Sequence, residues 1–143
     1  MTAEVRTEPI VHERHIDATP ETVFAFFTDP EKLTRWLASE ATLDPRPGGV
    51  CLQTHIGGDG ERYFMRGEFA EVSFPSRVVF TWGFDNDNMH TRPGESTVEV
   101  TLQPRDGGTW LRLEHRDLPQ SERGDHESGW ATMLDRLAAA IAA

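Results

Sequence analysis

The chain has 143 residues, enough for one domain with a core of its own. Its 24 acidic against 14 basic residues give a formal net charge of −10, with Lys32 the single lysine, a balance that weighs against nucleic acid or anionic membrane as the main partner. Cys51 is the only cysteine, which excludes an intramolecular disulfide and a cysteine-only metal site.

Residues 1–9 are polar and read as a loose segment ahead of a single domain over 10–143. Ile10 to Asp17 reads as a first strand with mixed alternation. Thr19 then offers an N-cap, with Pro20 at the first helical position and Glu21 beside the positive helix end, so a helix is expected over 19–28. Its apolar face carries Val23, Phe24, Phe26 and Phe27. Asp29-Pro30-Glu31 repeats the start signal and predicts a second short helix over 30–38, with Leu33, Trp36 and Leu37.

From Ser39 to His115 the signals are strand and turn. Strands are expected over 50–56, 62–72, 77–84, 97–102 and 109–115, with Val78, Phe80, Trp82 and Phe84 on one side of the third. Pro45 to Gly49, the Gly57 to Gly60 run, Phe74 to Ser76 and Asp106 to Gly108 are the turns between them, and 85–94 is a polar loop. Such spacing implies an antiparallel meander. Ser121 to Ala143 closes the chain as one long amphipathic helix. Trp130, Met133, Leu134, Leu137 and Ile141 form its stripe, with Glu127, Asp135 and Arg136 opposite. No run approaches the ~18 apolar residues of a membrane helix. The first residues also lack the apolar segment of a signal peptide, so a soluble, cytoplasmic protein is expected.

The order β-α-α-β-β-β-β-β-β-α resembles an α+β helix-grip architecture, that of the START-related, birch-pollen-allergen-like (SRPBCC) superfamily. In that fold a curved antiparallel sheet wraps a long C-terminal helix. Within it, the chain is similar to the family of homologues of the activator of the 90-kDa heat-shock-protein ATPase. Arg14 to Phe24, Asp29 to Trp36, Pro47-Gly48-Gly49, Gly67 with Glu71, and Pro75 with Val79 to Trp82 carry the likeness. Gly108-Thr109, His115 and Gly129-Trp130 complete it, from about Ile10 to Ile141. One departure stands out: Cys51 and Gln53 occupy positions where the family usually has large apolar residues.

Several motifs invite a chemical reading. His12 and His15 are an odd number of residues apart on a strand, so they point to opposite faces and cannot chelate one ion. Asp85-Asn86-Asp87-Asn88 opens like a calcium loop, yet His90 and Ser96 stand where such a loop needs glycine and glutamate. Neither the Gly57 to Gly60 run nor Asp106 to Gly108 leads into a helix, so neither cradles phosphate. Cys51 and His55 share a strand face but lie about 13 Å apart along it, too far for a thiolate–imidazolium pair. By analogy with polyketide cyclases of the same architecture, His55, Glu71, His115 and His126 can be nominated as acid–base groups by position alone.

The residues single out one site. Trp36, Trp82 and Trp130, with Met65 and Met133, are read as the apolar wall of a cavity between sheet and terminal helix. The two early helices would close one end and the 85–94 loop would gate the other. The strand after Gly49 sets two arguments against each other. Alternation alone buries Val50, Leu52 and Ile56, whereas the resemblance turns Cys51, Gln53 and His55 inward. Following the resemblance, Gln53, His55 and His115 give the cavity a polar side. A hydrophobic or amphipathic small molecule is the expected ligand, with no cofactor or metal, no nucleic acid and no membrane, and either a monomer or a homodimer. A protein-interaction module that stimulates a chaperone, or a cyclase-like enzyme, are the alternatives the resemblance leaves open.

Overall fold

The computed structural model describes residues 7–143. The helix starts form as their residue types dictate. Thr19 caps α1 (Pro20–Thr28) by accepting from the Thr22 N–H, and Asp29 caps α2 (Pro30–Leu33) by accepting from Glu31. Expected to run to residue 38, α2 ends at Leu33, and a short series of turns carries the chain through Leu37. Arg35 and Trp36 bond only three residues back, a tighter winding than an α-helix. That winding swings the Trp36 indole N–H onto the Phe26 carbonyl at 2.9 Å and binds the two helices together.

The strands are β1 (Ile10–Ile16), β2 (Glu40–Leu43), β3 (Val50–Ile56), β4 (Arg62–Ser73), β5 (Arg77–Trp82), β6 (Ser96–Arg105) and β7 (Gly108–Arg116). They form one antiparallel sheet in the order β1-β7-β6-β5-β4-β3-β2. The sequence expectation carried β5 on to Phe84, but the ladder with β6 stops at Trp82 and Phe84 makes only a lone bridge to Met65. Two features bend the sheet through β4. The register slips between Phe69 and Glu71, and a Cβ on Gly67 would lie 2.0 Å from the Thr81 carbonyl oxygen. Only glycine permits that approach, which folds the β2–β3 end of the sheet around.

The concave face is apolar. Val78, Phe80, Val98, Val100, Leu102, Leu111 and Leu113 are all buried there and alternate with the charged residues of the convex face. On the convex side Arg77 holds both Glu71 and Glu99, and Arg116 bridges Glu99 and Glu114. The terminal helix α3 (Gln120–Ala142) lies across the concave side with Trp130, Leu134 and Leu137 buried, while Met133 and Ile141 are half-buried. Of the stretch expected to be loose, residues 1–6 lie outside the described part. The other three residues are held, by bonds from Thr7 to Leu118 and from Arg123 to the carbonyls of Glu8 and Pro9.

In β3 the inward reading prevails. Cys51 and Gln53 are each 1% exposed, whereas Val50 is 42% and Ile56 53% exposed. The pairing Cys51 with Gly67 and Gln53 with Met65 fixes that register, and Met65 is itself fully buried.

Because Leu137 is fully buried and Ile141 only half-buried, their truncations should differ. Leu137→Ala is expected to lower unfolding free energy by about 2–5 kcal/mol in urea denaturation, and Ile141→Ala by clearly less. Equal losses would mean that α3 does not present this stripe to the sheet.

Candidate functional site

The helix α3 does not close on the sheet along its whole length. Beside residues 125–133 lies a cavity of about 440 Å³. His55, Tyr63, Trp82 and Phe84 line it from the sheet side, Leu37 from the turn after α2, and Gly57-Gly58 from the β3–β4 turn. The 85–94 loop adds Met89, and α3 adds Asp125, His126, Gly129, Trp130 and Met133. The rings are tightly associated: Trp82 lies 5.4 Å from Trp130, 5.4 Å from His55 and 5.7 Å from Phe84, centroid to centroid.

Of the residues singled out in the sequence, His55, Trp82, Trp130 and Met133 border this cavity. The other four lie elsewhere. Trp36 is buried against Phe26 and Phe27 in the α1–α2 packing, and Met65 is buried in the core. Gln53 and His115 sit one layer behind, each holding a cavity residue in place. Sequence reasoning missed Leu37, Gly57, Gly58, Tyr63, Phe84, Met89, Asp125 and Gly129 as lining residues, and weighed His126 only as an acid–base group. A signal for His126 was present, since it stands four residues before Trp130 and seven before Met133, on one helix face. The loop and turn residues carry no comparable period.

Hydrogen bonds settle the state of each histidine. Trp130 Nε1–H donates to His115 Nδ1 at 2.9 Å, so that nitrogen is bare and the proton sits on Nε2. His115 Nε2–H then donates to Ser96 Oγ at 2.9 Å, and the Ser96 hydroxyl donates to the Trp82 carbonyl at 2.7 Å. Trp82 Nε1–H donates in turn to His126 Nε2 at 3.1 Å, while His126 Nδ1–H donates to the Glu122 carbonyl at 2.8 Å. His55 donates from Nε2 to Gln53 Oε1 at 2.9 Å, and Gln53 Nε2 reaches the Cys51 sulfur at 3.7 Å. His115 and His126, each accepting an indole N–H, are therefore neutral, and burial keeps His55 neutral as well. Burial pushes His55 down to about 4, and both burial and the neighbouring His126 hold His115 well below the usual imidazole range. Burial lowers His126 too, against the opposing pull of the Glu122 carbonyl and the Glu122 and Asp125 charges.

The remaining candidates are placed elsewhere or made inert. Burial pushes the Cys51 thiol up to about 12, so it is no thiolate at neutral pH. Glu71 lies on the convex face, bound by Arg77 and Ser73, and does not meet the cavity. His12 donates to the Glu127 carbonyl of α3 and His15 to the Arg105 carbonyl, so the two point apart. Among the described residues, no group of three or more His, Cys, Asp or Glu is placed to hold a metal ion. The 85–94 loop is fastened rather than free. The buried Glu122 carboxylate accepts from the backbone N–H groups of His90 and Thr91 and from the Thr91 hydroxyl. Asn86 bonds both Phe64 and Arg62 of β4.

The neutral histidines make stability depend on pH with a definite sign. Each titrates lower in the folded chain than its ordinary value near 6.5, so the unfolded chain takes up protons first as pH falls. Their contribution is complete above about pH 6.5 and is lost as pH falls from there towards about 4, the value for His55. Each histidine can add up to about 1.4 kcal/mol per pH unit within that window. Thermal melts between neutral pH and about pH 5 should show this fall. In His115→Gln, whose amide can offer both an acceptor and a donor, the fall should be shallower; an unchanged slope would remove His115 from the account.

A family model described as activator of Hsp90 ATPase homolog 1-like protein matches residues 17–142. No curated protein matches the chain. Among solved structures, an AHSA1 protein of Silicibacter pomeroyi is 33% identical over 94% of this chain and 98% of its own, with a TM-score of 0.80. A protein of Chromobacterium violaceum is 26% identical over 93% of this chain and 96% of its own, with a TM-score of 0.81. A Mesorhizobium loti protein, 23% identical over 94% and 96%, shares the fold at a TM-score of 0.80. With its seven-stranded curved sheet gripping α3 and a family match over nearly its full length, this chain belongs to the activator of Hsp90 ATPase homolog 1-like family, on the helix-grip fold of the START-related superfamily.

Proposed function

We propose that the protein binds a hydrophobic or amphipathic small molecule in the cavity between α3 and the β3–β5 part of the sheet. The observation that carries this reading is the cavity itself: about 440 Å³, walled by Trp82, Phe84, Met89, Trp130 and Met133. That volume falls within the range of small-molecule sites, which are mostly apolar with a few placed polar groups.

Gly129 supports the same reading. A glycine inside a helix costs about 1 kcal/mol relative to alanine. No packing demands it here, because a Cβ built at Gly129 would meet nothing within 4 Å. Its missing side chain instead leaves room in the cavity wall. Binding fits better than acid–base catalysis because both nitrogens of His115 and of His126 are already engaged within the protein, and burial holds His55, whose Nδ1 is free, at about 4, a weak base near neutral pH.

Native mass spectrometry of the protein purified from its own host is expected to show a bound small molecule. Re-adding that molecule at about a hundred times its Kd should stabilise the fold by about 2.7 kcal/mol, read as a rise in Tm. Gly129→Leu should fold, because its side chain grows into open space, yet it should lose the bound mass and the Tm response. Full binding by Gly129→Leu, or a host-purified protein that carries no ligand and melts unchanged with apolar compounds, would overturn the reading.

A further inference from the structure

The cavity's polar groups can be accounted for one by one. Trp82 and Trp130 have given their N–H groups to His126 and His115, and His126 has spent its own N–H on the Glu122 carbonyl. Tyr63 gives its hydroxyl proton to Asp59 at 2.7 Å. Among the described residues, no lining side chain keeps a spare N–H or O–H donor, and the lining contains no lysine or arginine. What is left over accepts. Gln53 Oε1 takes the Nε2 proton of His55, which leaves His55 Nδ1 as a bare acceptor with no partner among the described residues. The Asp125 carboxylate at the cavity's edge is the other acceptor.

Resting on the binding reading above, we propose that the ligand is a flat aromatic molecule carrying an uncharged hydroxyl-type donor, oriented by a hydrogen bond to His55 Nδ1, and that carboxylate ligands such as fatty acids are rejected. The aromatic body follows from the walls: His55, Trp82, Phe84 and Trp130, whose rings pack on one another at 5.4–5.7 Å from Trp82, all line the space and offer it aromatic surface. A donor follows from the accounting, because a bare imine nitrogen accepts from an O–H or N–H and the lining side chains have none to spare. Rejection of carboxylates follows from charge: an anion entering here loses water, meets no cation and faces Asp125. Gln53 is the positioning residue. By accepting from Nε2 it fixes which nitrogen of His55 is bare. Burial holds the His55 ring at about 4, so the acceptor persists through neutral pH.

Calorimetric titration of the full chain near neutral pH with naphthol, its methyl ether and naphthoate tests the proposal. These share one ring system and differ in offering a donor, no donor, or a negative charge. Naphthol is expected to bind about five- to tenfold more tightly than the ether, the size of one net hydrogen bond, and naphthoate more weakly than either. His55→Phe, which keeps a ring against Trp82 and Phe84, should erase naphthol's advantage over the ether. The comparison in the unaltered chain decides the matter even if that variant does not fold. Equal affinity for naphthol and ether, or tightest binding of naphthoate, would overturn the donor-ligand inference and leave the binding reading intact. Failure of all three to bind would overturn the inference; absence of any host-derived ligand as well would take the binding reading with it.

Discussion

Two buried tryptophan N–H groups, each needing an acceptor, govern how the terminal helix meets the sheet. A buried indole nitrogen without a partner costs on the order of 1–3 kcal/mol. Here each donates to the bare nitrogen of a neutral histidine, Trp130 to His115 and Trp82 to His126. The bonds run in opposite directions across the interface, one from helix to sheet and one from sheet to helix. Ser96 closes the path between them by linking His115 to the Trp82 carbonyl. The result ties α3 to β5, β6 and β7 at fixed donor–acceptor distances, which apolar contact alone would not specify.

That latch also accounts for the void beside it. Leu134 and Leu137 pack fully along the second half of α3, where the contact is apolar. Towards the first half, the helix is held off by paired rings. His115 and His126 stand 5.3 Å apart, and Trp82 lies between Trp130 and His55. Gly129 supplies no side chain to fill the gap, and Glu122 holds the 85–94 loop over one end. A single buried carboxylate serves both the loop and the helix start, where the positive helix end favours it.

The inward row of β3 belongs to the same arrangement. Cys51, Gln53 and His55 share a face and bond to one another in sequence, so the polar atoms that alternation would have sent to water are satisfied internally, His55 Nδ1 excepted. Val50 and Ile56 accept exposure in exchange. Local patterning alone would have chosen the other register. It fails here because it counts side chains within one strand, whereas the cross-strand neighbours Met65 and Gly67 decide which face suits the core.

The amino-acid sequence by itself determined the succession of elements, because caps, prolines and two kinds of period are local properties. Thr19-Pro20, Asp29-Pro30, the row Val78, Phe80, Trp82 and Phe84, and the Trp130 to Ile141 stripe were each legible where they stand. The family resemblance was legible too, and it rescued the register of β3. Four of the thirteen lining residues were readable: Trp82, Trp130 and Met133 as large apolar residues on inward faces, with His55 drawn in by the resemblance. Tertiary structure alone decided the rest. Met89, Gly57 and Gly58 come from a loop and a turn, whose positions depend on contacts with distant chain, such as Thr91 with Glu122. Trp36 and Met65 left the site for the same reason: an apolar side chain declares that it will be buried, not which neighbours will bury it. The protonation of His55, His115 and His126 was likewise beyond the sequence, since a tautomer is fixed by the partner across the interface.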